Sequence, residues 1–277
     1  MSKAMQLKAK IRNLAQSNHI PAQAVLQNYM LERFLERITL SKYKDMIILK
    51  GGMLIASIVG INSRTTMDMD ATLRGYPLSE ESIRVAISEI CELQLDDGIT
   101  LVLDYIEPIR EDDEYGGFRV AIIAKIESIN TPLKIDITTG DIITPGAIRY
   151  AFHSHFEDKF FEVWAYNVET ILAEKVETIL RRSVLNTRPR DFYDVYIIMN
   201  NHSRMVNKKI FSIALKSTCD KRMSLVALQE KEKILLTIQS DPIMRQRWDR
   251  YSKEYNYANG IGFVEVLTTI IELVKIE

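Results

Sequence analysis

Two aspartates one residue apart, Asp68 and Asp70, sit in a stretch (residues 67–73) where polar and apolar side chains alternate. Alternation of this kind predicts a strand, and side chains two apart on a strand point to the same face. Two carboxylates on one face repel each other, so that face must stay well solvated or hold a cation. A hard divalent ion such as Mg2+ takes oxygen ligands, commonly one or two carboxylates together with substrate phosphates. Upstream, the apolar run Met46-Ile47-Ile48-Leu49 leads through Lys50-Gly51-Gly52 into the apolar residues 53–59. That order predicts a strand, a glycine turn and a helix. Glycines opening a helix let free backbone N–H groups approach phosphate closely. Lys50, Ser63, Arg64, Thr65 and Thr66 are available to add phosphate contacts. A third carboxylate, Asp136, lies in a short predicted strand over residues 133–137. If that strand pairs beside the first, the three acids form one site. Two metals there could activate an attacking hydroxyl and stabilise a leaving pyrophosphate. Taken singly, each feature has an ordinary explanation: a solvated Asp-x-Asp, a glycine turn, a hydrogen-bonded strand-end aspartate. Their order along the chain favours the joint reading.

The rest of the sequence bounds what surrounds this constellation. At about 150 residues per domain, 277 residues suggest roughly two domains. Lys and Arg (36) nearly balance Asp and Glu (37), so only local patches can attract a nucleic acid. Two cysteines are too few for a disulfide framework and suggest a reducing compartment. No apolar run is long enough to span a membrane, and the first residues lack a signal-peptide core. A cytoplasmic protein is therefore expected. The amino-terminal residues 3–16 read as a polar, basic helix. Pro21 then starts an amphipathic helix carrying Val25, Leu26, Tyr29, Met30, Phe34, Leu35 and Ile38. Lys3, Lys8, Lys10, Arg12, Arg33, Arg37, Lys42 and Lys44 make this region locally basic.

Ser79 is a candidate N-cap for a helix reaching about residue 93, with Glu80 and Glu81 in its first turn. Strands are predicted over 99–107 and 118–127. The acidic run 111–114 and Gly116-Gly117 lie between them as a hairpin connection, and one more strand is predicted over 160–165. From Asn167 onward the pattern is helical, over 168–185, 189–200, 208–217, 225–239 and around 264–274. The expected architecture is a mixed α/β domain over 1–166 followed by an all-helical domain over 167–277.

In the helical part, Lys175 borders an apolar stripe of Ile171, Leu172, Val176, Ile179 and Leu180. Either it is a solvated lysine paired with Glu174, Glu177 or Asp194, or it offers a point charge to a triphosphate. Asp191 and Asp194 share a helix face, and Asp191 suits the first turn after Pro189. Arg181, Arg182, Arg188 and Arg190 crowd the intervening turn. They are solvated residues or phosphate ligands. His153-x-His155, with no third His or Cys nearby, reads as a loop feature.

Several of these segments resemble one family. They are Leu49-Lys50-Gly51-Gly52, the run from Ser63 to Asp70 (SRTTMDMD), the run from Lys134 to Asp141 (KIDITTGD), the run from Ile171 to Thr178 (ILAEKVET) and the run from Arg188 to Tyr196 (RPRDFYDVY). Together they resemble the AbiEii-type nucleotidyltransferase toxins of abortive-infection, type IV toxin–antitoxin systems, relatives of the MenT toxins. The likeness extends from about Pro21 to Asn200, and many members carry Gly-Ser where this chain has Gly51-Gly52.

The resemblance implies a DNA polymerase β-like nucleotidyltransferase core, an α/β fold of the α+β type with a mixed sheet. It implies metal-binding roles for Asp68, Asp70 and Asp136. It also implies active-site roles for Lys175 and Asp194, and nucleotide contacts from Gly51, Gly52, Lys50, Arg64, Thr66, Asp191 and Arg190. The expected cofactor is Mg2+, with a two-metal site, and the substrate is an NTP. An RNA acceptor, in particular a tRNA 3′ end, and a cognate antitoxin would be the partners, with no membrane involved. Two rival readings stay open. One is the same chemistry on a protein or small molecule. The other is a GTP-sensing regulator without catalysis, against which the three intact aspartates argue.

Overall fold

The computed structural model describes residues 2–109 and 116–275, so the acidic run 111–114 lies outside the described residues. The chain divides into two compact units, Met1–Asp141 with Ile148–Ala165, and Ile142–Ala147 with Tyr166–Glu277.

The first unit is built on a seven-stranded mixed sheet. Its elements are α1 (Lys3–Asn18), α2 (Ala22–Leu40), β1 (Ile47–Lys50), α3 (Gly51–Val59), β2 (Met69–Leu73), α4 (Glu80–Glu92), β3 (Thr100–Pro108), β4 (Gly117–Ile126), β5 (Ile129–Thr139), β6 (Ile148–His153) and β7 (Phe160–Ala165). Strand order is β3-β4-β5-β2-β1-β7-β6, which puts β2 at the centre. β2 runs parallel to β5 and antiparallel to β1. β2 starts at Met69, so Asp68 occupies the bend just before it. β5 is longer than the alternation around Asp136 suggested, and β6 was not expected.

The start of α4 follows from local chemistry. Ser79 accepts from the Ser82 N–H, and Ser82 returns the bond to the Ser79 backbone. α2 corrects an expectation. Its Arg33 and Arg37 are buried rather than part of a basic surface. Arg37 forks onto both oxygens of Asp97 and also donates to the Leu93 and Ile99 carbonyls. Arg33 pairs with Glu36 and Glu157. Charge inside a core persists where it is paired in this way.

The second unit is helical: α5 (Val168–Arg182), α6 (Pro189–His202), α7 (Lys208–Lys221), α8 (Leu225–Gln229), α9 (Lys231–Ser240), α10 (Pro242–Glu254) and α11 (Phe263–Val274). Asn167 caps α5 by accepting from the Thr170 N–H, and its amide donates to the carbonyls of Thr144 and Gly146. The helix expected over 225–239 is two helices, broken at Glu230. α10 was not expected at all. Asp241 caps it, Pro242 occupies its first turn, and Met244, Trp248 and Tyr251 are its only buried residues. So thin an apolar stripe, amid Arg, Lys, Asp and Glu, carries little periodic signal. No helix among the described residues is long and apolar enough to cross a membrane.

Candidate functional site

The central strands line up a row of charges. Lys50 is the register partner of Asp70, Asp70 of Asp136, and Asp136 of Arg119. Register partners project to the same face of a sheet. One face therefore carries Lys50, Asp70, Asp136 and Arg119 on β1, β2, β5 and β4 in turn. Thr72 and Thr138 form the next paired row of that face.

Each carboxylate finds its own donor. Arg119 Nε and Nη2 donate to Asp136 Oδ1 and Oδ2, both at 2.8 Å. The Asp136 hydrogen bond and then its charge hold the Arg119 guanidinium above its ordinary value. The charge of Asp68 adds to that shift. Asp70 Oδ2 receives the Gly52 N–H at 3.4 Å, at the start of α3, where the helix dipole favours negative charge. Asp68 Oδ1 accepts from the Thr66 hydroxyl at 2.8 Å. Lys50 Nζ donates to Asp141 Oδ2 at 2.6 Å and to Thr138 Oγ1 at 2.7 Å. Thr72 also donates to Asp141.

The pairing of β2 with β5 thus makes Asp70 and Asp136 neighbours, with Asp68 two residues before Asp70. Among the described residues, no three His, Cys, Asp or Glu side chains form a group able to hold a metal. The donor set is nonetheless all oxygen, as a hard cation requires. The obstacle to a three-carboxylate site is the fork of Arg119 on Asp136.

The two glycines are needed for space. Gly51 has φ +67°, and a Cβ there would lie 1.9 Å from Asp70 Oδ2. A Cβ on Gly52 would lie 2.7 Å from Thr66 Oγ1 and 3.2 Å from Arg64 Nη2. Arg64 and Thr66 are buried. They brace this turn from behind, and Arg64 donates to the Thr65 carbonyl.

The second unit holds the other residues singled out from sequence. Lys175 Nζ lies 2.7 Å from Asp191 Oδ1 and 3.1 Å from Asp194 Oδ2. Both aspartates are buried, Asp194 completely. Asp191 Oδ2 accepts no hydrogen bond and has Arg188 Nε 3.5 Å away. Lys175 is therefore a mostly buried cation between two acids, not the solvated residue of the simpler reading. Glu174 and Glu177 are engaged elsewhere: both pair with Arg222, and Glu177 also with Arg181 and Ser224. Arg190 lies over the Tyr255 ring and donates to its hydroxyl at 3.3 Å. His155 is the partner of buried Glu32, at 2.6 Å.

Sequence reasoning missed Arg119, Asp141, Thr72 and Thr138. Asp141 was visible only as the end of a matching segment. Arg119 could have been flagged as one of two charges in an otherwise apolar strand.

The sequence profile of the family described as "Nucleotidyl transferase AbiEii toxin, Type IV TA system" matches residues 33–268, most of the chain. The crystal structure of a candidate nucleotidyltransferase from H. pylori has a similar fold, with TM-score 0.52 and 14% identity. It covers 92% of this chain and 96% of that one. JHP933 from Helicobacter pylori gives TM-score 0.49 and 14% identity, over 92% and 93% of the two chains. Comparison with the curated proteins found no match.

Proposed function

The chain belongs to the AbiEii family of type IV toxin–antitoxin nucleotidyltransferases, and on that premise we propose that it transfers a nucleoside monophosphate from an NTP to a hydroxyl of RNA, at a tRNA 3′ end. The observation that carries this reading is the register of Asp70 with Asp136 on parallel strands, beside the Gly51-Gly52 turn. Neighbouring carboxylates at the mouth of a helix suit a reaction that handles a polyanion through a hard cation. Asp68, Asp70 and Asp136 would hold Mg2+, which supplies charge neutralisation for the triphosphate and for the departing pyrophosphate. Asp136 must leave Arg119 to take part.

The chain's own groups then do the positioning. The backbone of Gly51 and Gly52 receives the phosphates, Lys50 flanks them, and Arg64 and Thr66 hold the turn in shape. In the second unit, Lys175, oriented by Asp191 and Asp194, holds a fixed positive charge of the kind a triphosphate takes, with Arg190 in the same unit. The acceptor hydroxyl oxygen forms a bond to the α-phosphorus while the bond from that phosphorus to the β-phosphate oxygen breaks. Pyrophosphate leaves, and the hydroxyl proton passes to Asp136. The enzyme would act in the cytoplasm, held in check by a cognate antitoxin.

The test is incorporation of label from each α-labelled NTP, supplied singly with Mg2+, into purified tRNA. Label on RNA, lost in Asp68→Ala together with toxicity, is the expected result. Label on protein, or a fully toxic Asp68→Ala variant, would overturn it.

A further inference from the structure

α10 and the start of α6 enclose a cavity of about 350 Å3 within the second unit. Its charged lining is lopsided: Arg188, Arg190, Arg247 and Arg250 against one acid, Glu254. In a chain of net charge -1 that is a local concentration of positive charge. Arg250 is exposed and makes no ion pair among the described residues. Arg247 Nη1 is pinned to the carbonyls of Val184 and Asn186, at 2.8 and 3.0 Å, so its guanidinium is preset in place.

Two aromatic rings complete the lining, with Thr187 and Pro189. Tyr251 and Tyr255 face the cavity, with ring centroids 4.8 Å apart. Tyr255 continues through Tyr257 to Tyr193, at 5.3 and 4.9 Å. Arginines interleaved with aromatic rings are the chemistry that holds single strands, whose bases are free to stack while guanidinium forks take the phosphates. A duplex hides its bases and gains nothing from the rings. Arg188 also connects this cavity to the Lys175 centre, through its contact with Asp191.

We infer that the cavity docks a single-stranded segment of RNA, with a phosphodiester on Arg188 and Arg250 and a base against Tyr255. Calling that segment part of the acceptor rests on the transferase reading; the binding itself does not. The test is fluorescence anisotropy of the full chain with a labelled single-stranded RNA of about eight nucleotides, without NTP, across a salt series. Arg250→Glu should weaken binding about tenfold and reduce the dependence on log salt by about one. Tyr255→Ala should weaken binding about fivefold and leave the salt dependence unchanged. Thermal melts of both variants serve as the folding control. Binding within twofold of wild type in both variants overturns the inference, as does equal capture of an acidic peptide probe. A wild-type protein that binds RNA through these residues but transfers no nucleotide supports the cavity and removes the transferase reading. Undiminished transfer by Arg250→Glu at limiting RNA overturns the assignment of the bound segment to the acceptor and spares the transferase reading.

Discussion

Arg119 grips both oxygens of Asp136 at 2.8 Å, across the β4–β5 pairing and directly beside Asp70. In the proposed reaction the guanidinium would compete with a metal for the same carboxylate lone pairs. Arg119→Ala should therefore tighten Mg2+ binding. Because the pair is partly exposed, screening limits the gain to about three- to tenfold. The Mg2+ concentration giving half-maximal nucleotide transfer is the readout, and Arg119→Lys should fall between wild type and alanine. An unchanged Mg2+ requirement would show that Asp136 is a structural partner of Arg119 and not a ligand.

Gly51 faces two separate demands. Its positive φ disfavours any side chain, and Asp70 occupies the place of a Cβ. Gly51→Ala should destabilise the first unit by about 2–3 kcal/mol, the strain terms adding to the clash. Gly52→Ala meets only the Thr66 hydroxyl and Arg64 tip, so it should cost less, and Thr66→Ala should relieve much of it. Urea denaturation of the single and double variants measures both effects.

These two examples show what a sequence carries and what it does not. The Asp-x-Asp alternation and the Gly-Gly turn are local patterns, so they are readable within ten residues, and the onset of helical periodicity near Asn167 marks where helices take over. Asp136 could be proposed, but its place beside Asp70 depends on β2 and β5 pairing across a separation of 66 positions in the chain. Arg119 is chosen by a hairpin partner 17 residues away, which no periodicity encodes. Arg33 and Arg37 looked like surface charge because composition cannot reveal that Glu157 and Asp97 fold back to meet them. α10 was hidden by its polarity, since three buried residues sufficed to dock it.

Lys175 lies between two buried acids, so removing its charge takes a shared partner from both. Lys175→Met should destabilise the second unit by about 3–5 kcal/mol, the usual cost of breaking a buried ion pair from one side. Adding Asp194→Asn should recover part of that loss, while nucleotide transfer stays abolished. Chemical denaturation alongside the transfer assay separates the two effects. If Lys175→Met keeps wild-type stability, the cluster is not the buried ionic centre described above.

Burial sets the behaviour of the two cysteines. It pushes the Cys91 thiol up to about 12 and the Cys219 thiol up to about 11. In the unfolded chain both return to the ordinary value of about 8.5. Below that value both states are protonated and the burial costs nothing in ionisation. As pH rises from there through 11 to 12, only the unfolded chain can release the protons, so native stability falls. At pH 8 neither thiol should react with an aromatic disulfide reagent in the native protein, and both should react after denaturation. Rapid native labelling of either one would mean that its helix, α4 for Cys91 or α7 for Cys219, opens far more readily than its packing implies.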